Sequence, residues 1–338
     1  MVSGMNAMVA AGGHGSSGPA TVERLRGLRS QLADQIKGQD HVLDRVCSVL
    51  TRGELGFAHP RRPKGSLLFI GPTGVGKTET ANVFTSYLFE GATPVRFDMS
   101  EYQLQKSVDK LIGEDRDDPG LLGRALSGAS RGVLLFDEIE KAHALVLDLF
   151  LQVLEDARIT LATGETLDLT GFYIVFTSNI GSAEVMRMVS APFSTIERTV
   201  LMRVGQELRP ELVGRITEKA VFGRLDYATQ RAICEQLIAT ERQRLRALGH
   251  ELAVEPDAVE FLIREGYHRL LGARPMRGAV ERFLQDAVAA SVLSGGPGSG
   301  RVLADQPNNR LILATPSANR QRFVADEPDA VDACSKKA

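Results

Sequence analysis

The sequence predicts an α/β protein: a five-stranded, mostly parallel sheet with covering helices, followed by a smaller, mainly helical domain. Three observations predict it. Short apolar runs of strand length recur at residues 66–70, 95–98, 133–136, 172–177 and 219–222. Helical patterns separate them, and strands that alternate with helices assemble a parallel sheet covered on both faces. After Arg224 the texture changes to segments of helical period.

Each element follows from its residues. The first twenty, rich in Gly, Ala and Ser, read as a disordered lead-in without the basic and apolar regions of a signal peptide. From about Thr21 to Thr51, Leu25, Leu28, Leu32, Ile36, Val42, Leu43, Val46 and Leu50 give amphipathic helices interrupted at Gly38. With the five strands, these make a large domain over 21–223. Helices near 227–248, 256–265 and 275–293 and a last strand at 310–314 make a small domain over 224–315. Residues 316–338 are polar and expected to be disordered.

A length of 338 residues suffices for two cores. The formal net charge of −2 supplies no field that gathers nucleic acid or an anionic membrane. No apolar run reaches the length of a membrane span. Cys47, Cys234 and Cys334 lie far apart with no CxxC, which excludes a zinc ribbon and argues for a reducing, cytoplasmic setting.

The first strand runs directly into Gly71-Pro72-Thr73-Gly74-Val75-Gly76-Lys77-Thr78, and a helix follows with Ala81, Phe84 and Leu88 on one face. Glycines let backbone N–H groups converge on phosphate oxygens, and the helix adds its positive end. In this pattern Lys77 reaches the β- and γ-phosphates and the Thr78 hydroxyl ligates Mg²⁺. The pattern therefore predicts ATP and Mg²⁺ binding.

About sixty residues later the strand at 133–136 ends in Asp137-Glu138. Asp137 is placed to hold the Mg²⁺ shell, and Glu138 to orient and polarise the attacking water. Many strands end in acids; behind a phosphate loop the pair gains meaning. The next strand ends in Thr177-Ser178-Asn179, which on its residues alone is either a strand-end turn or a group that positions the water.

Taken together, the chain resembles the AAA+ module of Clp-type unfoldases, closest to the second ATPase module of ClpA and ClpB. The likeness covers roughly residues 21–315 and rests on IKGQ (36–39), GPTGVGKTET (71–80), FDMSEY (97–102), FDEIEKAH (136–143), TSNIGS (177–182), RPE (209–211) and GARPM (272–276). It implies that Asn179 is the sensor-1 residue. Arg215 matches the arginine finger that reaches a neighbour's γ-phosphate, and Arg274 matches sensor 2. The stretch around Ile36 matches the segment that cradles adenine, although Lys37 stands where the family has an apolar residue. A finger supplied from a neighbour implies a homo-oligomeric ring, a hexamer in this family.

One family feature is replaced. Clp unfoldases carry a glycine-flanked aromatic loop that grips polypeptide in the central pore. Residues 114–123 here read EDRDDPGLLG, shorter, acidic and without an aromatic. Carboxylates cannot supply the apolar wedge that grips arbitrary sequence. No adaptor domain or zinc module is expected ahead of the ATPase, and no IGF or IGL tripeptide that docks the Clp peptidase occurs between Asn179 and Arg209. The leading expectation is an ATP-driven remodeller of a specific protein client. A nucleotide-switched scaffold is the alternative, and a nucleic-acid motor a weaker one, since no basic, aromatic-interleaved stripe is present.

Overall fold

The computed structural model describes residues 18–314, so the segments expected to be disordered before residue 18 and after residue 314 lie outside it. The described residues fall into two compact units. One runs to Gln230 and includes Tyr267–Arg274; the other holds Arg231–Gly266 and the residues from Pro275 on.

The first unit opens with helices α1 (Pro19–Gln35) and α2 (Asp40–Glu54). α1 starts two residues ahead of the expected Thr21, at a proline whose fixed φ and missing N–H suit a first helical turn. Then come β1 (Gly65–Ile70), α3 (Lys77–Leu88), β2 (Val95–Asp98), α4 (Ser107–Ile112), α5 (Gly120–Leu126) and β3 (Gly132–Asp137). α6 (Ala144–Asp156) leads to a small antiparallel hairpin, β4 (Arg158–Thr160) and β5 (Thr166–Asp168). β6 (Phe172–Ser178), α7 (Ser182–Arg187), α8 (Phe193–Glu207), α9 (Pro210–Arg215) and β7 (Glu218–Val221) complete it.

Five strands form one sheet in the order β2-β3-β6-β1-β7, and every pairing is parallel. Every residue of β1 and β6 is buried, as expected for strands covered on both faces. Phe136 of β3, Phe176 of β6 and Phe150 of α6 pack with ring centroids 4.4–5.6 Å apart. This aromatic cluster sits one residue below Asp137 and Thr177 and fixes the height of the strand ends that carry them. In an open parallel sheet the carboxyl ends of the strands, where the order reverses, are where ligands bind.

The second unit contains most of α10 (Tyr227–Ala247), then β8 (Leu252–Val254), α11 (Pro256–Gly266), α12 (Met276–Leu293), β9 (Gly300–Asp305) and β10 (Arg310–Ala314). Its three-stranded sheet, ordered β10-β9-β8, adds two strands to the one expected from sequence. Phe261 of α11 meets Phe283 of α12 edge to face at 4.9 Å. Among the described residues no helix is long and apolar enough to cross a membrane.

Candidate active site

The glycine-rich turn between β1 and α3 is held open by backbone geometry that only glycine adopts cheaply. Gly71, Gly74 and Gly76 have φ of 140°, 71° and 106°, and Gly76 caps the start of α3 in the left-handed region. Space forbids a side chain as well. A Cβ on Gly71 would lie 2.7 Å from the Phe222 carbonyl oxygen, and one on Gly74 only 2.0 Å from that of Leu271. Pro72 and Val75 are buried, Thr73 and Thr78 half-buried. Ile36 is buried beside the turn, 3.8 Å from where a Gly76 Cβ would stand.

Lys77 points back into the turn. Its Nζ donates to the carbonyls of Gly71 and Pro72 and, at 2.9 Å, to Asn179 Oδ1. Burial pushes the ammonium down to about 8, a fall opposed by Glu140, Asp137 and Glu138. Asn179 spans the site: its Nδ2 donates to Glu138 Oε1 at 3.2 Å, and its backbone N–H donates to Glu140 Oε1 at 2.9 Å. Adjacent strand tips thus bring the lysine, the acid and the asparagine into one chain of hydrogen bonds.

Asp137 is almost fully buried, and its Oδ1 accepts the Thr78 hydroxyl at 3.2 Å and the Thr177 hydroxyl at 2.8 Å. The Glu138 N–H in turn donates to Thr177 Oγ1 at 3.1 Å. Glu138 itself lies in the left-handed region (φ 57°, ψ 51°), uncommon for a residue with a side chain. The carboxylate is thereby turned away from the strand line and toward Asn179.

Two sequence-predicted residues sit differently. Arg274 is exposed on the segment that packs on the turn, where the Ala273 N–H donates to the Gly74 carbonyl at 3.1 Å. Its charge helps to hold Asp98 below the usual carboxylate range, although the Ser100 hydrogen bonds dominate that shift. Arg215 joins none of the bonds around Lys77. From α9 it reaches back to Glu155 of α6 and to the Glu211 carbonyl, alongside an Arg209–Asp148 pair at 2.5 Å.

Sequence reading missed three residues. In the sequence Thr177 reads only as part of a strand tip. Gln39 is fully buried and clamps Gly223 from both sides, accepting its N–H at 3.0 Å and donating to its carbonyl at 3.1 Å. Glu140 is masked in the sequence by the acidic signal of the Asp137-Glu138 pair just before it; a carboxylate two positions beyond Glu138 is the available cue.

Residues 113–120, which replace the expected aromatic loop, fold on themselves. Asp115 Oδ1 accepts the N–H groups of Asp117 and Asp118, and Asp118 accepts those of Glu114 and Gly120 together with the Arg124 guanidinium at 2.9 Å.

Comparison with known proteins decides the family. Residues 62–219 match the AAA domain (Cdc48 subfamily), and residues 225–303 match the C-terminal, D2-small domain of ClpB protein. The chain belongs to the Clp-type AAA+ ATPases. It is 36% identical over 301 residues to Chaperone protein ClpB 2 of Nostoc sp., a match that covers 86% of this chain and 34% of that protein. Heat shock protein 100 of Trypanosoma brucei brucei is 37% identical over 310 residues, with 88% and 34% covered. Among solved structures, Hsp104 with ATPγS and FITC casein superposes with a TM-score of 0.78 at 29% identity, covering 88% of this chain and 52% of that one. The S. cerevisiae Hsp104–ADP complex gives the same TM-score at 27% identity, covering 89% and 54%. This AAA+ chain thus spans about a third of the curated relatives it matches.

Proposed function

We propose that this AAA+ chain binds and hydrolyses ATP, assembles as a ring, a hexamer on the family pattern, and uses the cycle to remodel a specific protein partner in the cytoplasm. The observation that carries the reading is the unbroken path Lys77–Asn179–Glu138–Thr177–Asp137–Thr78 at the end of the sheet. Hsp104, the structural relative, has been observed with ATPγS and casein, which supports a nucleotide and a protein client for this fold.

The residues fit a divalent cation. Asp137 Oδ2 is buried with no hydrogen-bond partner among the described residues, and hard oxygen donors such as Asp137 and the Thr78 hydroxyl suit Mg²⁺. When bound, the metal supplies neutralisation of charge on the phosphates. The protein's own groups do the rest. Amides of the turn over 71–78 cradle the phosphates, and Lys77 exchanges its carbonyl partners for phosphate oxygens. Glu138, aimed by Asn179 and by its own backbone conformation, accepts a hydrogen bond from the attacking water and aligns it. Arg215 acts in trans on a neighbour's nucleotide, Arg274 closes on the phosphates in cis, and Ile36 borders the base.

The acidic, self-bonded 113–120 loop offers no aromatic wedge, which favours a dedicated client over general threading. ATP turnover by the purified protein, beside Lys77→Ala and Glu138→Gln, tests the site: turnover that survives both substitutions refutes the assignment. Affinity capture by Glu138→Gln in ATP then identifies the client. If that locked variant performs the cellular task in full, the protein is a switch and not a motor.

A further inference from the structure

The buried carboxylate at the metal position already has a cationic companion inside the same chain. Arg96 Nε lies 2.5 Å from Asp137 Oδ2, the oxygen that the threonine hydroxyls leave free, and its N–H is not aligned as a hydrogen bond. The register explains the meeting. β2 pairs with β3 in parallel, with Arg96 beside Leu135 and Asp98 beside Asp137, so Arg96 and Asp137 project from the same face two residues apart.

The partners differ in freedom. The Asp137 side chain is 5% exposed and pinned through its other oxygen, whereas the Arg96 side chain is 55% exposed on the edge strand of the sheet. Asp137 cannot leave; Arg96 can swing into water. A buried carboxylate deprived of its countercharge is strongly unfavourable. The other charged groups around it are Lys77, committed to backbone carbonyls and Asn179, Arg274, whose charge acts on Asp98, and the acids Asp98, Glu138 and Glu140. Arg96 is therefore the only cation among the described residues paired with Asp137.

We propose that Arg96 is a built-in stand-in for the metal. It neutralises Asp137 while the site is metal-free and gives way when Mg²⁺ arrives with nucleotide, so it sets how strongly metal and nucleotide binding are coupled. Arg96 is a positioning residue, acting through Asp137, and the inference rests on the Mg²⁺–nucleotide reading given above.

Two consequences have opposite signs. Without metal, Arg96→Gln leaves Asp137 without an ion-pair partner, with Lys77 the remaining positive charge acting on it, and lowers the thermal midpoint. With metal, the variant no longer has a competitor to displace. ADP affinity measured by calorimetry in EDTA and in saturating Mg²⁺ gives the coupling as a ratio, with no hydrolysis needed. Arg96→Gln should raise that ratio about two- to fivefold, the range of a partly exposed ion pair. Arg96→Lys should stay near the wild-type ratio. In an Asp137→Asn background, Arg96→Gln should change nothing. A purely structural role would lower the thermal midpoint equally with and without Mg²⁺·ADP and leave the ratio alone; that result, or a smaller ratio, overturns the proposal. If the wild-type protein shows no Mg²⁺ effect on ADP affinity, the nucleotide reading itself falls, and the two failures are told apart.

Discussion

The Thr177 hydroxyl donates to Asp137 Oδ1 at 2.8 Å while accepting the Glu138 N–H at 3.1 Å, so one buried oxygen links the two acids at the end of β3. A hydroxyl has one proton, and here its direction is fixed: it points to the carboxylate. Replacing Thr177 with Val keeps the shape and removes both bonds. The Glu138 N–H then lacks its partner, at about 1–3 kcal/mol, and Asp137 Oδ1 keeps only the Thr78 hydroxyl. Glu138 is also freed to relax from its left-handed backbone. The expected outcome is a fall in kcat of about ten- to a hundredfold with little change in ADP affinity, and recovery by Thr177→Ser. Steady-state ATPase assays with ADP calorimetry check it; a loss of affinity equal to the loss of kcat would contradict it.

Lys77 gives the site a pH signature. Its folded pKa of about 8 lies below the ordinary 10.5, so between those values the unfolded chain binds more protons than the folded one. Stability owed to this group therefore rises with pH across that window, and the penalty is fully present below about 8. Phosphate binding has the reverse sign. It favours the charged ammonium, so nucleotide affinity should weaken as pH rises above about 8. Binding at pH 8 should take up about half a proton, the fraction of free protein with Lys77 neutral. Calorimetry in buffers of different ionisation enthalpy reads this directly, and Lys77→Met should abolish the uptake.

The sheet was legible because parallel strands buried on both faces must be apolar throughout; β1 and β6 are. The turn was legible because its geometry is carried by contiguous residues. What escaped the sequence was either short or long-range. β4 and β5 have three residues each and bury one side chain apiece, Ile159 and Leu167, too few for a period. β8 and β9 pair across a whole helical segment. Thr177 bonds across 40 positions and Gln39 across 184, separations that no local pattern encodes. Arg96 is the exposed position of an alternating edge strand, and only the register with β3 brings it to Asp137.

The contact between the turn and the segment around Gly272 makes a stability prediction. Gly272 has φ of 58°, and a Cβ there would stand 2.6 Å from the Thr73 carbonyl oxygen and 2.8 Å from that of Gly74. Both the backbone conformation and the space exclude a side chain, and the atoms in the way are backbone that cannot step aside. Gly272→Ala should destabilise the protein by about 1–3 kcal/mol and weaken ADP binding, because relief of the clash moves the turn. Chemical denaturation and ADP titration measure the two effects. The exposed Gly278→Ala, on the outer side of α12 with nothing within 4 Å, is the control that should be neutral or slightly stabilising.

Arg215 supplies the prediction that separates a ring from an isolated subunit. In one chain it is held by Glu155 and the Glu211 carbonyl and joins none of the hydrogen bonds around Lys77, so it does nothing for its own site. If it serves a neighbour, Arg215→Ala should lower turnover by about 10³-fold or more while ADP affinity, a property of the binding subunit, stays intact. Lys77→Ala has the complementary defect: an empty site but an intact finger. Mixed with Arg215→Ala subunits, it should restore measurable turnover, because some sites then combine a sound turn with a sound arginine. Glu155→Gln tests the holding contact, since removing a half-exposed partner frees the guanidinium and should leave turnover equal to or above wild type. No recovery in the mixture, with both variants folded and co-assembled, would confine Arg215 to a salt bridge on α6.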